Sequence, residues 1–327
     1  MLQVDGPVHI TKHRSLTTRE FSGSTSNNSI RAVVCRATQL LIVFRFRYAI
    51  ICDSSLSTGP VLVPIRKAHS LHMKIIQVPL LRDNYAYLVI CEKSKEAAII
   101  DPSEAEPALK RADQEKITLT AILNTHHHRD HTGGNEGILA HHKLDVYGHK
   151  SDSARIFGLT RGVEEGDEIK IGDVTGKVLF VPGHTSGHVA YLFGSNLFCG
   201  DTLFTAGCGR LFEGTPEQMH GSLKKLLALP DDTKVYCGHE YTESNLRFAL
   251  TLEPKNHKLA SRSERVQGLR ARGASTVPAT LEEEKQTNPF LRWDSKELQS
   301  TLKSQDPDLR LDPVSVFAKV RQLKDSF

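Results

Sequence analysis

From residue 73 onward, short apolar runs alternate with amphipathic and polar stretches, which predicts strands and helices in turn. Residues 74–79 and 84–91 read as two strands joined by a turn at 81–83. Residues 96–101 (EAAIID) read as a third strand, broken at Asp101-Pro102. A helix is predicted over 104–116, and 119–124 (LTAILN) is a short apolar run that reads as a buried strand. Gly133-Gly134-Asn135 then turns the chain into a helix through Ala140. Further strands are predicted at 178–181, 197–199 and 234–237. Each of these ends in glycine followed by a side chain able to ligate a metal: Gly183-His184, Gly200-Asp201 and Gly238-His239. Glycine at such a point lets the backbone turn sharply and approach closely. Loops at strand ends, gathered on one sheet edge, are where such scaffolds carry their chemistry.

Beyond Asn245 the strand pattern stops, and helices are predicted over 246–252, 256–272, 281–286 and 313–324. The expected class is α/β, with an α/β domain over 73–245 and a small helical domain over 246–327. Residues 1–72 stand apart. They are rich in Ser, Thr and Arg and show no sustained helical or strand period. They are expected to be a leader: a mitochondrial or plastid transit peptide, a disordered tail, or an extension preceding a true start at Met73. The location is cytoplasmic or mitochondrial according to which holds.

Charge changes this picture in one respect. Residues 1–72 carry nine Lys or Arg against three Asp or Glu, a net of +6, while the whole chain carries +4, so the remainder carries −2. The basic balance belongs to the leader and gives no argument for nucleic-acid binding by the folded part. The apolar stretch at 40–52 contains Arg45 and Arg47 and is shorter than the roughly 20 residues a membrane span needs. The six cysteines include no C-x-x-C pair and read as free thiols in a reducing compartment.

The chemistry is concentrated in Thr125-His126-His127-His128-Arg129-Asp130-His131. In an extended loop alternate residues face one side, so His126 and His128 can reach one ion together. Asp130 and His131 follow where the loop bends into a helix and can face a second ion. Imidazole and carboxylate ligands suit zinc, iron or manganese. Two ions about 3.5–4 Å apart need further ligands and a bridge, and His184, Asp201 and His239 can supply them. A single H-x-H would be unremarkable, but this run after an apolar strand, with three more glycine-flanked ligands, is a specific signal.

Together T-H-x-H-x-D-H, PGHT, GDTLF and GHE resemble the metallo-β-lactamase superfamily. THHHRDHTGGN, VPGHTSGH, GDTLFTAGCGRLFEGT, YCGHEYT and NPFLR resemble its glyoxalase II (hydroxyacylglutathione hydrolase) family, from Met73 to Phe327. The resemblance implies a four-layer αββα sandwich followed by a helical glutathione-binding domain. It implies one metal on His126, His128 and His184, a second on Asp130, His131 and His239, and Asp201 bridging both. Asp130 and Asp201 are then the catalytic carboxylates, zinc is the expected metal, and the chain is expected to act as a monomer. A water shared by two cations loses a proton near neutral pH and can attack a thioester carbonyl. His127 and His188 match family positions that are not ligands.

The resemblance also implies glutathione contacts at Arg210, Phe212, Tyr241, Arg321 and Lys324. Arg321 and Lys324 lie three apart on a predicted helix and so share a face, which suits a substrate carrying two carboxylates. Arg210 stands where some members have Lys, Phe212 where some have Tyr, and Arg129 where Trp is common; none of these is a metal ligand. Cys208 reads as a small buried residue. The expected reaction is hydrolysis of S-D-lactoylglutathione and related S-acylglutathiones. The alternatives are a persulfide dioxygenase with one iron and a non-catalytic glutathione- or metal-binding module.

Overall fold

A computed structural model of the chain describes residues 72–327, together with the backbone of five shorter segments before them. The chain divides into two compact units at Leu71 and His72. In the first unit, β1 (Arg19–Thr25), β2 (Asn28–Val34), β3 (Gln39–Val43), β4 (Tyr48–Asp53) and β5 (Val61–Pro64) pair antiparallel in sequence order. The pattern of residues 1–72 does not predict these strands. The leader reading otherwise falls on residues outside those described.

The second unit contains two six-stranded sheets. The first runs in the order β11 (Arg161–Val163), β10 (Asp145–His149), β9 (Thr118–Leu123), β8 (Glu96–Ile100), β7 (Asn84–Cys91), β6 (Met73–Leu80). The second runs β12 (Glu168–Ile171), β13 (Val174–Phe180), β14 (Val189–Phe193), β15 (Asn196–Gly200), β18 (Lys234–Cys237), β19 (Ala279–Thr280). In the first sheet β8, β9 and β10 run parallel, as strands connected through helices do.

Strand β7 explains how the layers stack. Every residue in it is buried, so both faces must be covered. Tyr85, Tyr87 and Val89 point into the core between the sheets, while Ala86, Leu88 and Ile90 point into a second core. That second core is closed by Ala108 and Ala112 of α1 (Ala105–Glu115) and by Ile138 of α3 (Asn135–Leu139). The second sheet packs with Met219, Leu223 and Leu226 of α4 (Pro216–Leu227). Helix, sheet, sheet and helix thus follow one another, as expected. Leu88 is fully buried, and truncating such a side chain to Ala costs about 2–5 kcal/mol.

Helix α1 fills the predicted span, entered from Glu104 and closed by Lys116 in the left-handed conformation, whose N–H caps the Ala112 and Asp113 carbonyls. Helix α4 is absent from the sequence reading although it is well signalled: Thr215 and Gln218 form a reciprocal capping box with Pro216 in the first turn. Helix α5 (Thr242–Leu252) begins before the expected joint at 245/246. The helical region continues with α6 (His257–Arg270), α7 (Leu281–Thr287), α8 (Lys296–Gln305) and α9 (Pro313–Asp325). It also sends β19 back to pair antiparallel with β18. A two-residue strand is too short to carry a period.

The NPFLR motif fastens this region to the sandwich. Asn288 is fully buried and donates to the Phe204 and Gly207 carbonyls of the hairpin β16 (Leu203–Phe204) and β17 (Gly207–Cys208). Arg292 makes a two-pronged pair with buried Glu253 at 2.8 and 2.9 Å.

Candidate active site

Every predicted ligand lies in the segment that follows a strand. β9 delivers the loop carrying His126 and His128, which bends into α2 (Arg129–Thr132) with Asp130 and His131. His184 follows β13, Asp201 follows β15 and His239 follows β18. Gly200 has φ +46°, and a Cβ there would meet Thr125 Oγ1 at 2.3 Å. A Cβ on Gly238 would meet Asp201 Oδ1 at 2.5 Å and the His131 ring at 2.6 Å. Only glycine lets the backbone pass this close to the ligands.

The seven residues gather into two groups. His128 Nδ1 lies 3.1 Å from His126 Nε2 and 3.1 Å from His184 Nε2. His239 Nε2 lies 3.3 Å from His131 Nε2 and 3.3 Å from Asp130 Oδ2. Asp201 stands between them: Oδ1 is 3.3 Å from His131, and Oδ2 is 3.5 Å from His184 and 3.4 Å from His239. His127 belongs to neither group. His188 is buried, stacks on His126 at 4.7 Å, and accepts the Asp201 backbone N–H.

The hydrogen bonds around these rings leave bare nitrogens pointing inward. His131 Nδ1 donates to Asp101 Oδ2 at 3.0 Å, His239 Nδ1 to Asp83 Oδ1 at 2.9 Å, and His184 Nδ1 to the Arg210 carbonyl at 2.8 Å. Thr125 Oγ1 gives its proton to Asp101 at 2.6 Å, so it can only accept from His126 Nδ1, 3.0 Å away. In the neutral rings that ligate a metal, the Nε2 atoms of His131 and His239 would meet lone pair to lone pair. Asp201 Oδ1 is buried with no hydrogen-bond donor. Facing acceptors with no proton between them fit a cation. Donors roughly 2.0–2.1 Å from a tetrahedral ion sit about 3.3–3.4 Å apart, close to the spacings within each group.

The electrostatics agree. Burial alone would push His131 and His239 down, but Asp201 together with Asp101 raises His131 to about 10, and Asp201 with Asp130 and Asp83 raises His239 to about 11. Burial lowers His128 to about 4 and holds His126 well below its ordinary value. The Asp130–His131–His239 side thus demands positive charge, while the histidine triad stays neutral and ready to ligate.

The groups open onto a cavity of about 870 Å³, lined also by Arg210, Phe212, Tyr241, Arg321 and Lys324. Tyr241 stacks on His239 at 4.6 Å, and Phe212 stands edge-on to His184 at 5.2 Å. Arg321 is buried and committed to the protein, donating to the Cys208 carbonyl at 2.8 Å and to Asp325 at 2.9 Å. Lys324 donates to Ser244 and is lowered to about 8 by burial and by Arg321, Arg247 and Arg210.

Two matches cover the sandwich and the helical region in turn. Residues 81–239 match the metallo-β-lactamase superfamily, and residues 240–327 match the family described as hydroxyacylglutathione hydrolase C-terminus. Hydroxyacylglutathione hydrolase of Synechococcus sp. strain JA-3-3Ab is 51% identical over 258 residues, which span 78% of this chain and 100% of the relative. The chain belongs to the hydroxyacylglutathione hydrolase family. The Rhodospirillum rubrum hydroxyacylglutathione hydrolase is likewise 51% identical, over 78% of this chain and 99% of its own. Among solved structures, ETHE1 from Myxococcus xanthus is 26% identical with a TM-score of 0.53, covering 78% of this chain and 99% of that one. The BLEG-1 B3 metallo-β-lactamase is 26% identical with a TM-score of 0.52, covering 67% of this chain and 100% of its own.

Three residues of this hydroxyacylglutathione hydrolase family member escape the sequence reading. Asp101 reads there as a strand end, yet it orients His131 directly and His126 through Thr125. The available signal is an acid closing a strand that pairs in parallel with the ligand-bearing strand. Asp83, in the predicted turn, orients His239 and carries no signal beyond its type. Arg247 lines the cavity from α5 and makes no ion pair among the described residues.

Proposed function

We propose that this protein hydrolyses the thioester of S-(2-hydroxyacyl)glutathione, with S-D-lactoylglutathione as the reference substrate, to glutathione and a 2-hydroxy acid, the chemistry of methylglyoxal detoxification. The observation that carries this reading is two ligand groups sharing Asp201 on the wall of a cavity that Arg210, Arg247, Arg321 and Lys324 also line.

His126, His128 and His184 would hold one divalent cation, Asp130, His131 and His239 a second, with Asp201 between them; zinc is the metal proposed. When bound, such a pair lowers the pKa of a water toward about 7 and supplies positive charge where an oxyanion develops. The protein does the rest. Asp130 is half-buried in the cavity lining, where Asn84 donates to Oδ2 at 3.2 Å, and its free oxygen can hold a proton of the attacking water. Asp101, Asp83 and the Arg210 carbonyl fix the imidazoles, so no reorganisation is needed during reaction. Phe212 and Tyr241 wall the acyl group against water, and Arg210, Arg247 and Lys324 attract the glutathione carboxylates. Arg321 holds the turn from which Arg210 projects.

A single-iron persulfide dioxygenase is the second reading. The match of 240–327 to the hydroxyacylglutathione hydrolase C-terminus, and a second complete ligand group, both favour the hydrolase. Purified full chain supplied with zinc should consume S-D-lactoylglutathione with release of free thiol and no oxygen uptake. Intact thioester after two-metal loading would end the proposal, and oxygen uptake with one iron per chain would favour the dioxygenase. Among the described residues no helix is long and apolar enough to cross a membrane. We propose a monomer acting in the cytoplasm or mitochondrion, the choice turning on the processing of residues 1–72. Mass spectrometry of the mature N-terminus decides that choice.

A further inference from the structure

Beside the His126–His128–His184 group lies a compact charged network that takes no part in ligation. Asp152 is fully buried at the end of a short helical turn, Lys150–Asp152. Its Oδ1 accepts from Arg155 at 2.5 Å. Its Oδ2 lacks a hydrogen-bond donor and faces His127 Nδ1 at 3.7 Å, itself unpartnered. The Arg155 guanidinium reaches three further groups: Glu213 Oε1 at 2.6 Å, Ser186 Oγ at 3.2 Å and His127 Nε2 at 3.4 Å. Glu213 in turn accepts the Ser186 N–H and hydroxyl, each at 2.7 Å. A Cβ on Gly187 would strike the Asp152 carboxylate at 2.3 Å, so the backbone after His184 lies directly on that acid.

These contacts join the segments that carry the first ligand group. His127 sits between two of its ligands in sequence, Ser186 lies two residues after the third, and Glu213 adjoins Phe212 over the cavity. One guanidinium thereby neutralises a buried carboxylate and ties both ligand loops to it. Among the described residues Arg155 makes no contact with Asp130, His131 or His239, which hydrogen-bond instead to Asn84, Asp101 and Asp83 respectively.

We infer that Arg155 is a positioning residue for the His126–His128–His184 metal site, acting through Asp152, Glu213 and the loops they hold. The inference rests on the two-metal reading above. Removing Arg155 leaves Asp152 buried and unpaired beneath those loops, an outcome that disorders what lies on it. Loss of a partner that orients metal ligands typically weakens the metal about 10–100-fold.

The test is zinc titration of metal-stripped full-length protein against a competing chelator, resolving two binding steps. His128→Ala and Asp130→Ala assign each step to its ligand group. Arg155→Met should weaken the step that His128→Ala abolishes by about 10–100-fold, leave the other step within twofold, and lower zinc retained under chelator from two ions toward one. Arg155→Lys, which keeps a cation against Asp152, should recover most of the loss. Both steps unchanged, both weakened alike, or Lys no better than Met would each overturn the inference. If Arg155→Met does not fold, Glu213→Gln takes its place, with a smaller weakening of the same step expected and no change overturning it. A wild-type chain that binds fewer than two zinc ions overturns the two-metal reading and this inference with it. Two ions bound with Arg155→Met unaffected overturns the inference alone.

Discussion

The carboxylate of Asp101 lies 3.0 Å from His131 Nδ1, and both residues are buried. Asp101 also takes the backbone N–H and hydroxyl of Thr125, at 2.7 and 2.6 Å, and sits at φ +49°, a strained conformation for a residue with a side chain. One buried acid thus sets the proton positions of His131 and, through Thr125, of His126, one ligand from each group.

Asp101→Asn keeps the shape and removes the charge, while its amide brings donors to atoms that already donate. Metal affinity should fall about 10–100-fold, with both binding steps affected because both groups depend on this acid. Chelator competition checks this, and an effect confined to one step would contradict the shared role.

Asp201→Ala removes the carboxylate that lies within 3.5 Å of ring nitrogens in both groups. Metal content and thioester hydrolysis should fall together, the latter by at least about 10²–10³-fold even with excess zinc. Metal analysis of the same samples used in the assay decides it; full turnover by the variant would refute the bridging role.

Metal-free protein should respond to pH in a direction set by His131 and His239. Their folded values, about 10 and about 11, lie above the ordinary value of 6.5. The stabilisation they bring is therefore fully present below about pH 6.5 and is lost as pH rises through 10 to 11. Near neutral pH both are protonated, and a metal held by their Nε2 atoms must displace those protons. Calorimetry in buffers of different ionisation enthalpy should show proton release on zinc binding and tighter binding at higher pH. Proton uptake, or none, would contradict this assignment.

Lys324 points to a second pH effect. Its ammonium is lowered to about 8, first by burial and then by Arg321, Arg247 and Arg210. KM for an acylglutathione should rise above that pH as the charge is lost, with little change in kcat. Lys324→Met should raise KM at pH 7 by about ten- to a hundredfold, from roughly 1.5–3 kcal/mol for a charged hydrogen bond, and should abolish the rise above pH 8.

Arg321 should behave differently from Lys324 despite sharing its helix face. Truncating it leaves the Cys208 carbonyl and Asp325 without their donor. Arg321→Ala should therefore destabilise the fold by about 1–3 kcal/mol, seen in denaturant unfolding, as well as raising KM through the turn that carries Arg210. A KM change with unaltered stability would show a direct substrate role instead.

Much of this was legible from local pattern. Strands ending in Gly-His184, Gly-Asp201 and Gly-His239 announce themselves because each is a short apolar run, and a ligand after glycine has few other uses. The spacing of His126 and His128 likewise states that they face one way. Asp101, Asp83 and Arg155 look like ordinary strand-end, turn and surface charges, because what distinguishes them is a partner far off in the chain. Arg321 and Lys324 read as an equivalent pair, since helical spacing reports a shared face but not which of two cations the protein has already engaged.

Short stretches of the chain are enough to indicate the kind of chemistry: seven side chains able to ligate metal, the strands that present them and helices that follow. Local propensity and side-chain type suffice for that, because each of these signals lies within a few consecutive residues. How those side chains group around Asp201, which imidazole nitrogens face one another, and which cations the protein engages follow from packing. Those depend on distances of about 3 Å between residues up to 156 positions apart, as between Asp83 and His239, and only the packing of two sheets brings them together.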